Sequence, residues 1–185
     1  FGDAGDAAGL GGGGELDAGY AVIDGGRLYV MLTGNIEPNF NKLSVFIDSK
    51  AGGENTLDGS LAYDFGDVAS NFGGLTFDTG FEADYHLFGR WGVQSGTILA
   101  GGTATTGADG GTFLANDVFF GFNNTNTAGV IGGDQAADQV AAAAVTTGFE
   151  FSIDLADLGY VGGDIKIHAV YGNGENNYHS NQVLG

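Results

Sequence analysis

Short runs of alternating polar and apolar residues dominate this chain. In Lys42-Leu43-Ser44-Val45-Phe46-Ile47-Asp48 the alternation sets Leu43, Val45 and Ile47 on one face of a strand. Phe149-Glu150-Phe151-Ser152-Ile153-Asp154-Leu155 alternates most cleanly, with Phe149, Phe151, Ile153 and Leu155 inward, and Asp164 to Tyr171 repeats the pattern around Ile165, Ile167 and Ala169. Leu28-Tyr29-Val30-Met31-Leu32 is a short apolar strand run, and weaker strands fall at 20–23, 75–77, 85–91, 97–100, 112–114 and 118–122. Asp24-Gly25-Gly26-Arg27 reads as a two-residue hairpin joining 20–23 to 28–32, because glycine reaches the positive φ angles such a turn needs. Helix signals are few. An alanine-rich stretch, Asp134 to Ala144, predicts two or three turns capped by Asp134, and Asp154 to Gly159 predicts one turn closed by Gly159. There is no fixed repeat period of the kind that marks solenoids or propellers. About ten short strands with glycine turns predict an all-β fold, an antiparallel jelly-roll β-sandwich with one short Ala-rich helix. The sandwich is expected to span residues 15–185, after a glycine-rich, aperiodic arm over residues 1–14 that is expected to be flexible.

Composition narrows the function. Of 185 residues, 37 are glycine and one is proline, without the Gly-X-Y period of collagen. Five Lys and Arg face 23 Asp and Glu, a formal net charge of −18 that argues against nucleic acid and anionic membrane surfaces. Zero cysteines exclude disulfides and thiolate chemistry. No apolar stretch is long enough for a membrane-spanning helix, and the start at Phe1-Gly2-Asp3 is read as a mature form with its signal removed.

Candidate chemistry is sparse. Gly9-Leu10-Gly11-Gly12-Gly13-Gly14 satisfies the dinucleotide pattern formally, but no predicted strand precedes it, so it reads as linker. His86, His168 and His179 stand singly and are expected in loops or on the surface, with His168 pointing outward beside Lys166. Acid pairs such as Glu82 and Asp84, or Asp154 and Asp157, lie among glycines rather than in an apolar cleft, so no glycosidase pair stands out. Calcium is the better expectation, held by Asp3 and Asp6 of the arm or by the Asp48–Asp58 region with Glu54 and Asn55, because uncompensated negative charge favours a hard cation. Tyr85 and Trp91 share one strand face. If that face is open they form a sugar-stacking row, although core packing is the plainer account of large aromatics. Asn123-Asn124-Thr125 is a glycosylation sequon, which fits a surface loop of a secreted protein.

A family likeness rests on three blocks. Asp24 to Val30 with Gly34-Asn35 and Asn41 to Ser49 resembles the opening of secreted bacterial sandwich proteins, many of which carry a Pro-Glu-Pro-type C-terminal sorting tail. Leu75 to Asp78 with Gly80 to Tyr85 is similar to their middle motif, and Thr147 to Gly159 with Ser180 to Gly185 to their end. More distantly the order resembles family 9 carbohydrate-binding modules and DOMON domains, jelly-roll-like sandwiches that bind sugar or haem. The resemblance implies a non-catalytic extracellular or cell-surface bacterial protein of structural or adhesive type. With the glycine arm it implies self-assembly into a filament or other homopolymer by strand addition. The alternative is a carbohydrate-binding module that takes an extracellular polysaccharide.

Overall fold

A computed structural model describes residues 15–35, 42–58, 71–90, 119–123, 139–173 and 177–184. Among the described residues eight strands form in chain order: β1 (Glu15–Asp24), β2 (Arg27–Asn35), β3 (Lys42–Asp48), β4 (Tyr85–Arg90), β5 (Phe119–Phe122), β6 (Gly148–Asp154), β7 (Lys166–Gly172) and β8 (His179–Leu184). A short helix, α1 (Gln139–Ala143), precedes β6. The strands make two four-stranded antiparallel sheets, ordered β1-β2-β6-β5 and β4-β3-β7-β8. The all-β expectation therefore holds.

The period-2 patterns explain how the sheets meet. Leu28, Val30 and Leu32 of β2, with Phe149, Phe151 and Ile153 of β6, face Leu43, Val45 and Ile47 of β3 and Leu87, Ala169 and Tyr171 of the neighbouring strands; all are buried in one cluster. Leu155 and Ile167, expected in this core, are half-buried at its margin. The β1–β2 turn is the predicted one. Asp24 pairs with Arg27, and Gly25 and Gly26 take φ of 56° and 83°, the signature of a twist-matched two-residue hairpin. The turn after β6 also forms and closes on Gly159 at φ 60°. Helix α1 occupies only the end of the predicted alanine-rich stretch; the earlier part lies outside the described residues, as do the strands expected at 97–100 and 112–114.

The second sheet is buried on both faces. Its outer side is covered by residues 49–58 and 71–84, which lay Leu57, Phe72, Phe77 and Phe81 over Phe46 and Val170. The cover is fastened by polar groups. Glu54 bridges Ala83 and Thr56 bridges Thr76. The Asn55 amide donates to the carbonyls of Phe77 and Phe81 at 3.2 and 2.8 Å. One Asp84 oxygen accepts from the backbone N–H groups of Ser49 and Lys50 at 2.8 and 3.0 Å.

This layer corrects the reading of the histidines. All three enter it. His86 is 1% exposed and stacks on Phe46 at 4.4 Å, His168 meets Phe77 edge-on at 5.2 Å, and His179 stacks on Phe72 at 4.7 Å. Strand alternation does turn His168 away from the core between the sheets, as expected, but there it lies half-buried against the rings of Phe46, Phe77 and Phe81. Burial holds the His168 and His179 imidazoles below the usual histidine pKa; for His168 the Asp78 carboxylate works in the opposite direction.

Candidate functional site

The outer face of the first sheet is the open one. Cross-strand register sets its side chains in rows. Tyr20, Met31, Glu150 and Gly121 align across β1, β2, β6 and β5; Val22, Tyr29 and Ser152 form the next row; Asp24, Arg27 and Asp154 form the third. Together the first two rows line a groove of ≈ 400 Å³. Tyr20, Val22 and Tyr29 are 56%, 59% and 41% exposed, an apolar surface that proteins usually cover. The groove owes its depth to Gly121. A Cβ there would come within 3.1 Å of the Glu150 carboxylate, so any larger residue would push that side chain. At the polar end Arg27 forms an ion pair with Asp154 at 2.7 Å and donates a second hydrogen bond to the Ser152 carbonyl at 3.2 Å. Two tyrosine rings, a methionine, one exposed carboxylate and a fixed guanidinium offer apolar platforms beside directional hydrogen bonding, the combination that a sugar ring with an apolar face and a rim of hydroxyls requires.

Of the residues expected to bind ligands, those described lie outside the groove. Tyr85 is buried in the core between the sheets at 7% exposure. Its hydroxyl donates to the Asp157 carbonyl at 3.0 Å and accepts from Lys50 Nζ at 2.9 Å, so its ring is not presented to a ligand. Trp91 and the arm acids Asp3 and Asp6 lie outside the described residues. Asn123 is exposed just after β5, with its backbone N–H donating to Gly148 O at 2.9 Å. The region expected to bind calcium takes part in fastening the cover of the second sheet. Asp48 accepts from Lys166 Nζ at 3.0 Å and from the Glu82 backbone at 3.2 Å, and Glu54 accepts from the Asp58 backbone at 3.1 Å. The Asn55 amide is committed to carbonyls, as above. Among the described residues no three histidine or carboxylate side chains converge as a metal site.

Burial raises the Asp84 pKa, opposed by the Ser49 and Lys50 amides. A raised carboxyl is what a general acid needs, but Asp84 is 1% exposed beneath the cover and far in the chain topology from the open groove, so it reads as a structural clasp.

Sequence reasoning missed Tyr20, Tyr29 and Glu150. The available signal was that β1 and β2 carry apolar residues on both faces around the hairpin, whereas a sheet with one solvated face should alternate. The geometry defines a class and no more: an all-β protein of two packed antiparallel sheets, one of them presenting an aromatic groove. No protein-family model, curated protein or solved structure matches the chain. Among the described residues no helix is long and apolar enough to cross a membrane.

Proposed function

We propose that this chain is a non-catalytic, extracellular adhesive protein of a bacterium, a jelly-roll-like sandwich whose open sheet face binds polysaccharide. The groove carries this reading: two exposed tyrosines in adjacent rows flank an exposed carboxylate over a glycine floor. The jelly-roll reading draws support from the way the chain passes between sheets after β2, β4 and β6. The resemblance to secreted sandwich proteins and to carbohydrate-binding modules supports the location and ligand class. Affinity electrophoresis through gels of bacterial and plant polysaccharides, backed by a glycan array, tests it. Retardation by at least one glycan is expected. Tyr29→Ala and Tyr20→Ala should each weaken it about tenfold, the factor that corresponds to ~1.4 kcal/mol of lost stacking and contact. A wild-type chain that binds no glycan, or tyrosine variants that bind as well as wild type, would end the reading.

A second reading is self-assembly by strand addition, and β1 favours it. This ten-residue strand stands at the end of its sheet's order, bears no Lys or Pro, and exposes Tyr20, Val22 and Ile23. Residues 1–14 are the proposed donor, with calcium as the cation that offsets the net negative charge. Ser180–Gly185 is the weaker donor, because β8 is already paired with β7. Sedimentation with calcium present should show polymer that is lost on deleting residues 1–14. A concentration-independent monomer rules assembly out without touching the glycan reading.

A further inference from the structure

The groove also discriminates by charge, a property that rests on the glycan reading above. Glu150 stands at its centre. Strand β6 lies between β2 and β5, so the antiparallel register sets Met31 on one side of Glu150 and Gly121 on the other. Tyr20 continues this row on β1, and Tyr29 stands in the next row opposite Ser152. On one face of a sheet, directly paired side chains lie about 5 Å apart at Cβ and diagonal ones about 7–8 Å. Met31 is thus the direct neighbour of Glu150, and Tyr29 is within reach of whatever Glu150 holds. Gly121 puts no side chain beside the carboxylate. A Cβ there would come within 3.1 Å of Oε1 and 3.2 Å of Cγ, so the Glu150 side chain leans over the glycine.

Among the residues that line the groove, Glu150 alone carries a charge. It is exposed, and its carboxylate makes no hydrogen bond or ion pair with any described residue. Arg27, further along β2, does not compensate it. That guanidinium pairs with Asp154 at 2.7 Å and donates to the Ser152 carbonyl and hydroxyl at 3.2 and 3.3 Å. The groove therefore offers one uncompensated negative charge beside aromatic faces. An acidic sugar would be repelled by Glu150 and by the net charge of −18. A hard metal ion would find one carboxylate where it needs six to eight oxygens. An ammonium group suits the site better. It gives the carboxylate a charge-assisted hydrogen bond and is attracted to the face of a tyrosine ring.

We propose that the groove selects a polysaccharide of amino sugars with free amines, and that Glu150 binds the ammonium. Tyr20, Tyr29 and Met31 take the apolar faces of the sugar rings. The two tyrosine hydroxyls, which have no partners among the described residues, bond sugar hydroxyls. N-acetylation of the sugar removes the positive charge, and with it both the pair to Glu150 and the attraction to the rings. The acidic surface of the whole chain works in the same direction, drawing cationic polymers towards this face and holding anionic ones off.

The experiment is calorimetric titration of the full-length protein with oligomers of glucosamine, N-acetylglucosamine and a uronic acid, matched in length. Salt is held at about 0.15 M, where exposed charges more than about 8 Å away are largely screened. The glucosamine oligomer is expected to bind wild type about tenfold more tightly than the acetylated one. Glu150→Gln should remove that margin. Asp164→Asn, which replaces an exposed acid outside the groove, should keep it. Equal or tighter binding of the acetylated or the uronic acid oligomer overturns the proposal and leaves the glycan reading standing, whereas binding of no glycan removes both. Equal losses in the two variants would show diffuse attraction of a polycation and overturn it too. So would equal binding of a lysine oligomer of the same charge, which would make the groove a site for a protein chain.

Discussion

Phe46→Ala is expected to remove about 3–5 kcal/mol of stability, as large aromatic deletions do where the site cannot collapse. Phe46 is 0% exposed and sits on the central strand of the second sheet, facing away from the core between the sheets. It makes edge contacts to Phe72 and Phe77 at 5.3 and 5.2 Å and a stacked one to His86 at 4.4 Å. Its loss would leave a void beneath the cover that rigid rings from both sides cannot refill, and it would remove several aromatic pairings at once. Chemical denaturation of wild type and variant measures this directly. A loss below about 1 kcal/mol, the range of surface substitutions, would mean that the cover is not packed against the sheet.

Acidification should cost the protein stability through the same layer. His168 and His179 are desolvated, so their folded pKa values lie below the usual histidine value of 6.5. The unfolded chain then takes up protons that the folded chain resists, and the histidine contribution, fully present above about pH 6.5, is lost as pH falls through and below that value. Two effects run the other way. Mutual repulsion among the acids relaxes on acidification, and the raised Asp84 pKa favours the folded state as its carboxyl protonates. Both effects persist in a His168→Gln/His179→Gln variant, so the comparison isolates the imidazoles. Denaturation midpoints at pH 7.5 and 5.5 should fall more steeply for wild type than for the variant. Equal changes in the two proteins would show that these rings titrate as if in water.

What was legible in the sequence follows from what periodicity encodes. Alternation in 42–48 and 149–155 identified the inward residues Leu43, Val45, Ile47, Phe149, Phe151 and Ile153, because burial between two sheets selects every second side chain. The hairpin at Gly25-Gly26 and the turn at Gly159 were legible because both need positive φ. The second apolar layer was not. Phe46 and His168 sit at positions that alternation marks as outward, and the segments that cover them, 49–58 and 71–84, carry irregular spacing with no period to read. The groove was hidden for the converse reason. Tyr20 and Tyr29 look like core residues, and only the strand order shows that nothing among the described residues lies over them. Asp48, Glu54 and Asn55 also hold the cover through side-chain hydrogen bonds that no periodicity announces.

The pairing of β2 with β6 and of β3 with β7 sets the order in which this chain can be built. Arg27 meets Asp154 at a separation of 127 positions in sequence, and Lys42 pairs with Gly172. Neither sheet can therefore close until most of the polypeptide is available, whether from the ribosome or from a secretion pore. Until then β1 and β2 can form only an isolated hairpin, which is marginal by itself in water. Such long-range closure is slow, in the millisecond-to-second regime of β-rich topologies, and it leaves the apolar strands of that hairpin uncovered meanwhile. The dense negative charge then acquires a role before the native state exists. It keeps half-made chains apart during the interval in which their sticky strands have no partner of their own.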